Sequence, residues 1–228
     1  MTSQTRLKIV ITAGPTREPL DSVRFISNYS TGTIGYLLAA EAVRRGHQVV
    51  LISGPVSLKA PEKAMVVKVE SARQMYSAVK KHFKLCHCLI MSAAVSDYRP
   101  KKIIPGKLKK TKKSLSLELV RNPDILKQLA KIKKDRITVG FALEASDLIP
   151  NACRKLREKN LDLIVANKKT KGLSPFGKEK PSGFFIDGGL KAERFTKIQK
   201  KALAGLIIDK IEKLWYTHNE SKGGKVTA

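Results

Sequence analysis

Cysteine is scarce in this chain: Cys86, Cys88 and Cys153 form an odd set with no framework spacing. With only four histidines beside them, neither a disulfide scaffold nor a zinc centre is expected, and the three thiols are expected to be buried. Long apolar runs are missing as well. No stretch approaches the ~20 residues needed to cross a bilayer, and Leu7 to Ala13 is too short and wrongly flanked for a signal peptide, so a cytoplasmic protein is expected. Acidic residues are few: 19 Asp and Glu stand against 45 Lys and Arg, a net charge of +26. Such an excess draws phosphates, polyanions or an acidic membrane surface, and an anionic ligand is the first expectation. Apolar content is not lacking. At 42% of 228 residues it suffices for the core of one large domain or two small ones.

The run Leu7 to Ala13 ends at Gly14-Pro15 and reads as a strand buried on both faces. Residues 33 to 45 carry Ile34, Leu37, Leu38 and Val43 at helical spacing, with Gly46 where the helix stops. Further strands are expected at 48 to 53, 66 to 69, 88 to 93, 137 to 142 and 161 to 166, and helices at 71 to 84, 123 to 133, 147 to 159 and 196 to 215. Phe184 to Gly189 and Lys191 to Phe195 read as a late hairpin. This alternation predicts a three-layer α/β domain over residues 1 to 216, with a mostly parallel Rossmann-like sheet between helices and a flexible tail at 217 to 228. Residues 99 to 120 and 168 to 196 break the rhythm.

Ligands in such sheets sit at the carboxyl ends of the strands. The first crossover is long there, with eighteen residues, Pro15 to Gly32, between the first strand and its helix. A dinucleotide fingerprint is absent, since the second strand ends Ser53-Gly54-Pro55 without the acid that binds a ribose. Gly32-Thr33-Ile34-Gly35 opens a helix and can hold a phosphate or simply pack closely. Within the crossover, Arg24 and Asn28 are candidates for a polar substrate, the alternative being that Asn28 and Ser30 only cap the helix. The fourth strand ends in the small residues Ala93 and Ala94, followed by Asp97. Between Arg99 and Lys113 stand eight basic residues, Lys107 among them, and no acidic one. That segment reads equally as a solvated or nucleic-acid-binding loop and as a mobile strap closing over a triphosphate. In Asn122-Pro123-Asp124-Ile125, Asn122 is the expected cap and Pro123 the first helical residue. Phe141 can face a base or belong to the core, and Lys155 and Lys159 share a helix face where an anion would relieve their repulsion.

Taken in order, T-A-G-P-T-R-E-P-L-D-x-V-R-F-I-S-N-x-S-T-G-x-x-G, A-A-V-S-D-Y-R-P with its lysine-rich strap, N-P-D-I, V-G-F-A-x-E and N-L-D-L-I-V-A-N resemble phosphopantothenate-cysteine ligase, over about residues 7 to 215. The resemblance implies a CTP-dependent ligase of coenzyme A biosynthesis. The carboxylate of 4'-phosphopantothenate takes up CMP with loss of pyrophosphate, and the amino group of L-cysteine then displaces CMP. It further implies Asn28 at the acyl-nucleotide carbonyl, Arg24 reaching the substrate phosphate of a neighbouring subunit in a homodimer, and Ala93 and Ala94 offering backbone groups. Asp97, Lys107, Asn122, Pro123, Asp124, Ile125, Phe141, Lys155 and Lys159 are implied nucleotide contacts, with Asn28 and Lys107 as the catalytic pair. Magnesium is expected with the triphosphate, and neither a membrane nor a nucleic acid as partner. Thr31 and Thr33 depart from the S-S-G-K-M-G of many relatives. With Met1 six residues before the first strand, a free-standing ligase or a cut-out piece of a bifunctional chain is expected. A nucleic-acid-binding protein, suggested by the charge, and a dinucleotide-dependent reductase, suggested by the alternation, are the other readings.

Overall fold

The structure, a computed structural model, describes residues 6–109, 114–168 and 179–223. Near-continuous apolar segments form its central strands because both of their faces are covered. They are β1 (Lys8–Ala13), β4 (Gln48–Ser53), β5 (Met65–Lys68), β6 (Cys88–Met91), β9 (Ile137–Glu144) and β10 (Leu163–Lys168), all mutually parallel. An antiparallel hairpin, β11 (Gly183–Asp187) and β12 (Ala192–Phe195), extends the edge, giving the order β12-β11-β10-β9-β6-β1-β4-β5. The parallel part is the doubly wound Rossmann order, and the chain reverses direction of growth between β1 and β6.

Two helical layers cover the sheet. Leu38, Ala39 and Ala42 of α1 (Thr33–Arg44) and Leu203, Ile207 and Ile211 of α5 (Lys200–Gly223) pack with Ile9 and Ile11 on one face. On the other, Met75, Val79 and Phe83 of α2 (Ala72–Phe83) and Ile125 and Leu129 of α3 (Ile125–Ala130) meet Val10, Ile52 and Leu89. Ala152 and Leu156 of α4 (Leu148–Glu158) complete that layer over Ile164 and Ile186. Cys86 and Cys88 are buried and Cys153 half-buried. Burial pushes the Cys86 thiol up to about 12.

Two segments hold more structure than their sequence announces, and one expectation needs correction. The long crossover is not structureless, since it folds into β2 (Arg17–Pro19) and β3 (Phe25–Ser27), an antiparallel pair. The basic segment is likewise anchored in a ribbon, β7 (Tyr98–Pro100) with β8 (Leu119–Arg121). Finally, α5 runs to Gly223 because no Gly or Pro interrupts it after Gly205, so residues 217–223 are helical rather than a flexible tail. Residues 224–228 lie outside the described residues.

α1 approaches the sheet at Gly35, where an added Cβ would stand 2.5 Å from Ala13 Cβ and 2.9 Å from the Thr12 carbonyl oxygen. Gly35→Ala is therefore expected to lose about 1–3 kcal/mol through overpacking, despite alanine's better helix propensity. Denaturant unfolding checks this, and an unchanged midpoint would show that the helix can back away without cost.

Candidate active site

Where β1 and β6 diverge, their last backbone groups are met by hydroxyls and by each other. Thr12 Oγ1 accepts from Ala93 N at 3.1 Å, Ser92 Oγ donates to the Thr12 carbonyl at 2.5 Å, and Thr16 Oγ1 accepts from Ser96 N at 3.0 Å. Ala94 N donates to the Gly14 carbonyl at 2.9 Å, extending the parallel pairing through Pro15 and Ala94. Asn28 leaves β3 and its amide Nδ2 donates to the Ala94 carbonyl at 3.0 Å. Asn28 thus does not cap α1. Gly32, in a left-handed conformation at φ 76°, is the cap, and no side chain caps it.

Two cavities flank this junction and share Ala93 and Phe141 as a common wall. The larger, about 580 Å³, is lined among others by Asp97, Asn122, Pro123, Asp124, Ile125 and Lys159. The smaller, about 200 Å³, is lined by Thr31 to Gly35 at the start of α1, Ser92, Ala94, Asn167 and Lys200. Asn122 is placed by its own side chain, which donates to the Ser96 carbonyl at 2.9 Å, while its backbone N–H donates to the Asp97 carbonyl at 2.8 Å. The cap of α3 is therefore Asp124 and not Asn122. Asp124 accepts from Lys127 N at 3.1 Å and pairs with Lys159 Nζ at 3.0 Å, while Pro123 precedes the cap.

Lys155 lines neither cavity, for Glu144 at the end of β9 holds its ammonium at 2.5 Å. Arg24 and Lys107 also stand off from both cavities. Both stand at the seam between crossover and strap instead, where Asp21 is the anchor. Its buried carboxylate accepts from the backbone N–H groups of Val23 and Arg24 at 2.7 Å each and of Leu108 at 3.0 Å. Arg24 donates to the Leu108 carbonyl at 3.3 Å, and two backbone bonds, Ser22 N to Gly106 and Ile104 N to Leu20, close the seam. Lys107 is exposed on this docked segment, and Lys110 to Lys113 lie outside the described residues. Sequence reasoning missed Asp21, Asn167 and Lys200; the first two stand in quoted motifs, and the third carries no local signal.

A wider depression of about 1180 Å³ lies at the ends of β4 and β5, among Arg17, Lys68 and Arg73, and contains none of the residues singled out. It is the place of a dinucleotide's ribose in Rossmann folds. Here the first loop closes over Gly54, where a Cβ would stand 1.8 Å from the Pro15 oxygen. Among the described residues no cluster of three or more His, Cys, Asp or Glu could hold a metal by itself. Asp97 lines the larger cavity and both oxygens of Asp124 are engaged by Lys127 N and Lys159, so a hard cation there would be carried chiefly by phosphate oxygens and water.

The sequence profile of the DNA/pantothenate metabolism flavoprotein C-terminal domain matches residues 4–214. The chain is 48% identical over 183 residues to the coenzyme A biosynthesis bifunctional protein CoaBC of Bacillus subtilis (strain 168), covering 79% of this chain but 45% of that protein. It thus spans about half the length of such curated relatives, as the 51% coverage of the Escherichia coli (strain K12) CoaBC, 41% identical over 90% of this chain, also shows. The crystal structure of the C-terminal domain of a CoaBC superposes with a TM-score of 0.80 at 36% identity, covering 94% of this chain and 97% of that one.

The Leu108 bond, first among its hydrogen bonds, holds the Asp21 carboxyl below its ordinary value. Strap docking is thus fully supported above the unfolded carboxylate pKa of ~3.9 and weakens as pH falls through the depressed folded value. Asp21→Asn should raise hydrogen exchange at the Leu108 amide at least tenfold at pH 7. Protection in the variant equal to the wild type would show that other contacts hold the strap.

Proposed function

As the chain belongs to the family of DNA/pantothenate metabolism flavoprotein C-terminal domains, we propose that it joins 4'-phosphopantothenate to L-cysteine at the expense of CTP. One observation carries this reading: two cavities meet at the Ala93–Phe141 wall beside the carbonyl held by Asn28. A reaction through a mixed anhydride needs such a place, where a nucleotide and an acyl group abut and a nucleophile can approach from the other side. A carboxylate is a poor electrophile until its oxygen becomes part of a phosphate leaving group. In the first step a carboxylate oxygen bonds to the α-phosphorus of CTP and pyrophosphate departs. In the second the amine of cysteine bonds to the acyl carbon and CMP departs, so the protein needs no covalent nucleophile of its own.

In this proposal the larger cavity takes the nucleotide. Phe141 faces the base or sugar, Asp97 and Asn122 accept and donate at their edges, and Lys159, steadied by Asp124, bears on the phosphates. Asn28 orients the acyl group through the backbone of Ala94. Lys107 closes from the strap on the charge that develops at the phosphates, and Lys155 adds to the positive field at the rim from its place on Glu144. Magnesium, when bound with the triphosphate, offsets its charge.

A homodimer belongs to the proposal, with Arg24 serving the phosphate of a substrate in the other subunit. The hairpin and the ribbon are in contact and expose large apolar side chains, Val23 at 61%, Tyr29 at 90% and Ile103 at 60%. Apolar surface of that kind supports cover by a second copy. No helix among the described residues is long and apolar enough to cross a membrane, and a cytoplasmic place is part of the same reading.

With CTP, 4'-phosphopantothenate, L-cysteine and magnesium the protein should release pyrophosphate. No release with either CTP or ATP would refute the assignment. Lys107→Gln should slow turnover by roughly 30- to 900-fold, equivalent to about 2–4 kcal/mol of transition-state stabilisation. A loss below about tenfold would leave the strap as a solvated loop.

A further inference from the structure

The depression at the ends of β4 and β5 shares no lining residue with the two cavities of the proposed ligase site. The Pro15 carbonyl, packed on Gly54, separates it from the crevice between β1 and β6. Three cations line it: Arg17 from β2, Lys68 from β5 and Arg73 from α2. None of them pairs with a carboxylate among the described residues. Glu70, the one acid in the lining, forms no ion pair with them, and the buried Glu18 accepts from Ala72 N at 2.9 Å. Arg17 is braced by an aromatic face instead, its guanidinium 4.4 Å from the centre of the Phe25 ring, an arrangement that leaves the N–H edge unpaired. Arg73 is the second residue of α2, where a cation opposes the helix dipole, and no acidic residue offsets it in the first turn. Beside the cations the wall is apolar and open to solvent, with Leu58 41% and Val66 37% exposed. Lys68 and Arg73 lie outside every motif that carries the family resemblance, and the ligase reaction has no use for them.

We propose that this depression binds the phosphate monoester of a small metabolite with an apolar body, at a site separate from the ligase crevice. The dianion lies among Arg17, Lys68 and Arg73, where the two guanidinium forks match its oxygens. The apolar body covers Val56, Leu58 and Val66 and withdraws them from water. A volume of about 1180 Å³ leaves room for such a molecule. A dinucleotide does not fit, because its pyrophosphate would have to pass through the contact between Pro15 and Gly54. Occupancy also bears on the neighbouring hairpin. Arg17 N donates to the Glu70 carbonyl at 2.8 Å, so β2 already touches the segment leading into α2. A phosphate bridging Arg17 and Arg73 fastens the same junction through side chains. Because β2 pairs with β3, from whose end Asn28 reaches the Ala94 carbonyl, the bound anion steadies the hairpin that holds Asn28.

Calorimetric titration of the protein with phenyl phosphate, and with inorganic phosphate for comparison, tests the site without any ligase substrate. Phenyl phosphate should bind at least threefold more tightly than inorganic phosphate. Its affinity should fall at least tenfold in Arg73→Gln and in Lys68→Gln, with part of the loss recovered in Arg73→Lys. Lys159→Gln, in the larger cavity, should change it less than threefold. An affinity lost in Lys159→Gln but kept in Arg73→Gln would overturn the site, because the anion would then sit in the crevice. So would equal affinity for the two probes, the sign of attraction by net charge alone, and so would the absence of measurable binding. Saturation with phenyl phosphate should slow amide exchange in β3 at least threefold, and unchanged exchange would overturn the link to the hairpin. Lys68 and Arg73 are both exposed, and circular dichroism confirms that their variants are compared as folded protein. A wild type that binds phenyl phosphate in this way but releases no pyrophosphate would refute the ligase reading and leave this site standing.

Discussion

Two parallel strands that part company leave backbone donors and acceptors without a ladder, and this fold depends on how β1 and β6 resolve that problem. Hydroxyls do it. Thr12, Thr16 and Ser92 take up the groups that the diverging strands no longer offer each other, and the Asn28 amide takes the Ala94 carbonyl. All are short or neutral side chains, so the seam is satisfied without filling the crevice above it. Gly35 then lets α1 sit directly on the strand ends, which sets its N-terminus at the crevice instead of a turn away. The opening between strands is thereby lined with polar backbone and the positive end of a helix, a setting that favours anions over any apolar ligand.

The second constraint is the buried Asp21. One carboxylate accepting three backbone N–H groups ties the crossover to the basic strap, so two insertions that look independent in sequence form one unit beside the site. That unit carries Arg24 and Lys107 together, and it presents apolar side chains outward. Positioning of cations and the proposed pairing of subunits therefore draw on the same piece of structure. The remaining positive charge has no counterpart in the crevice and is not explained by it.

The sheet was legible in sequence because strands buried on both faces write their apolar runs plainly, as in Lys8–Ala13 and Leu163–Lys168. The pairs β2–β3 and β7–β8 were not, since three residues per strand are too few for any period to emerge and their pairing is fixed by tertiary contacts. Asn122 was misjudged as a cap because the sequence offers two competing acceptors, Asn122 and Asp124. Only the Ser96 carbonyl decides between them. Most of the lining of the larger cavity was within reach through the quoted motifs. Lys155 is the departure, drawn off by Glu144, eleven residues away in the chain. Asn167 closes a quoted motif, whereas Lys200 is brought to the start of α1 by the fold alone, and no spacing in the sequence announces it.

In the proposed reaction nucleotide and acyl group share the Ala93–Phe141 wall. A crystal structure of the protein with CTP, 4'-phosphopantothenate and magnesium is the most direct test. An acyl-cytidylate is expected, with its nucleotide between Asn122 and Phe141 and its carbonyl beside Asn28. A nucleotide seated instead among Arg17, Lys68 and Arg73 at the ends of β4 and β5 would contradict it.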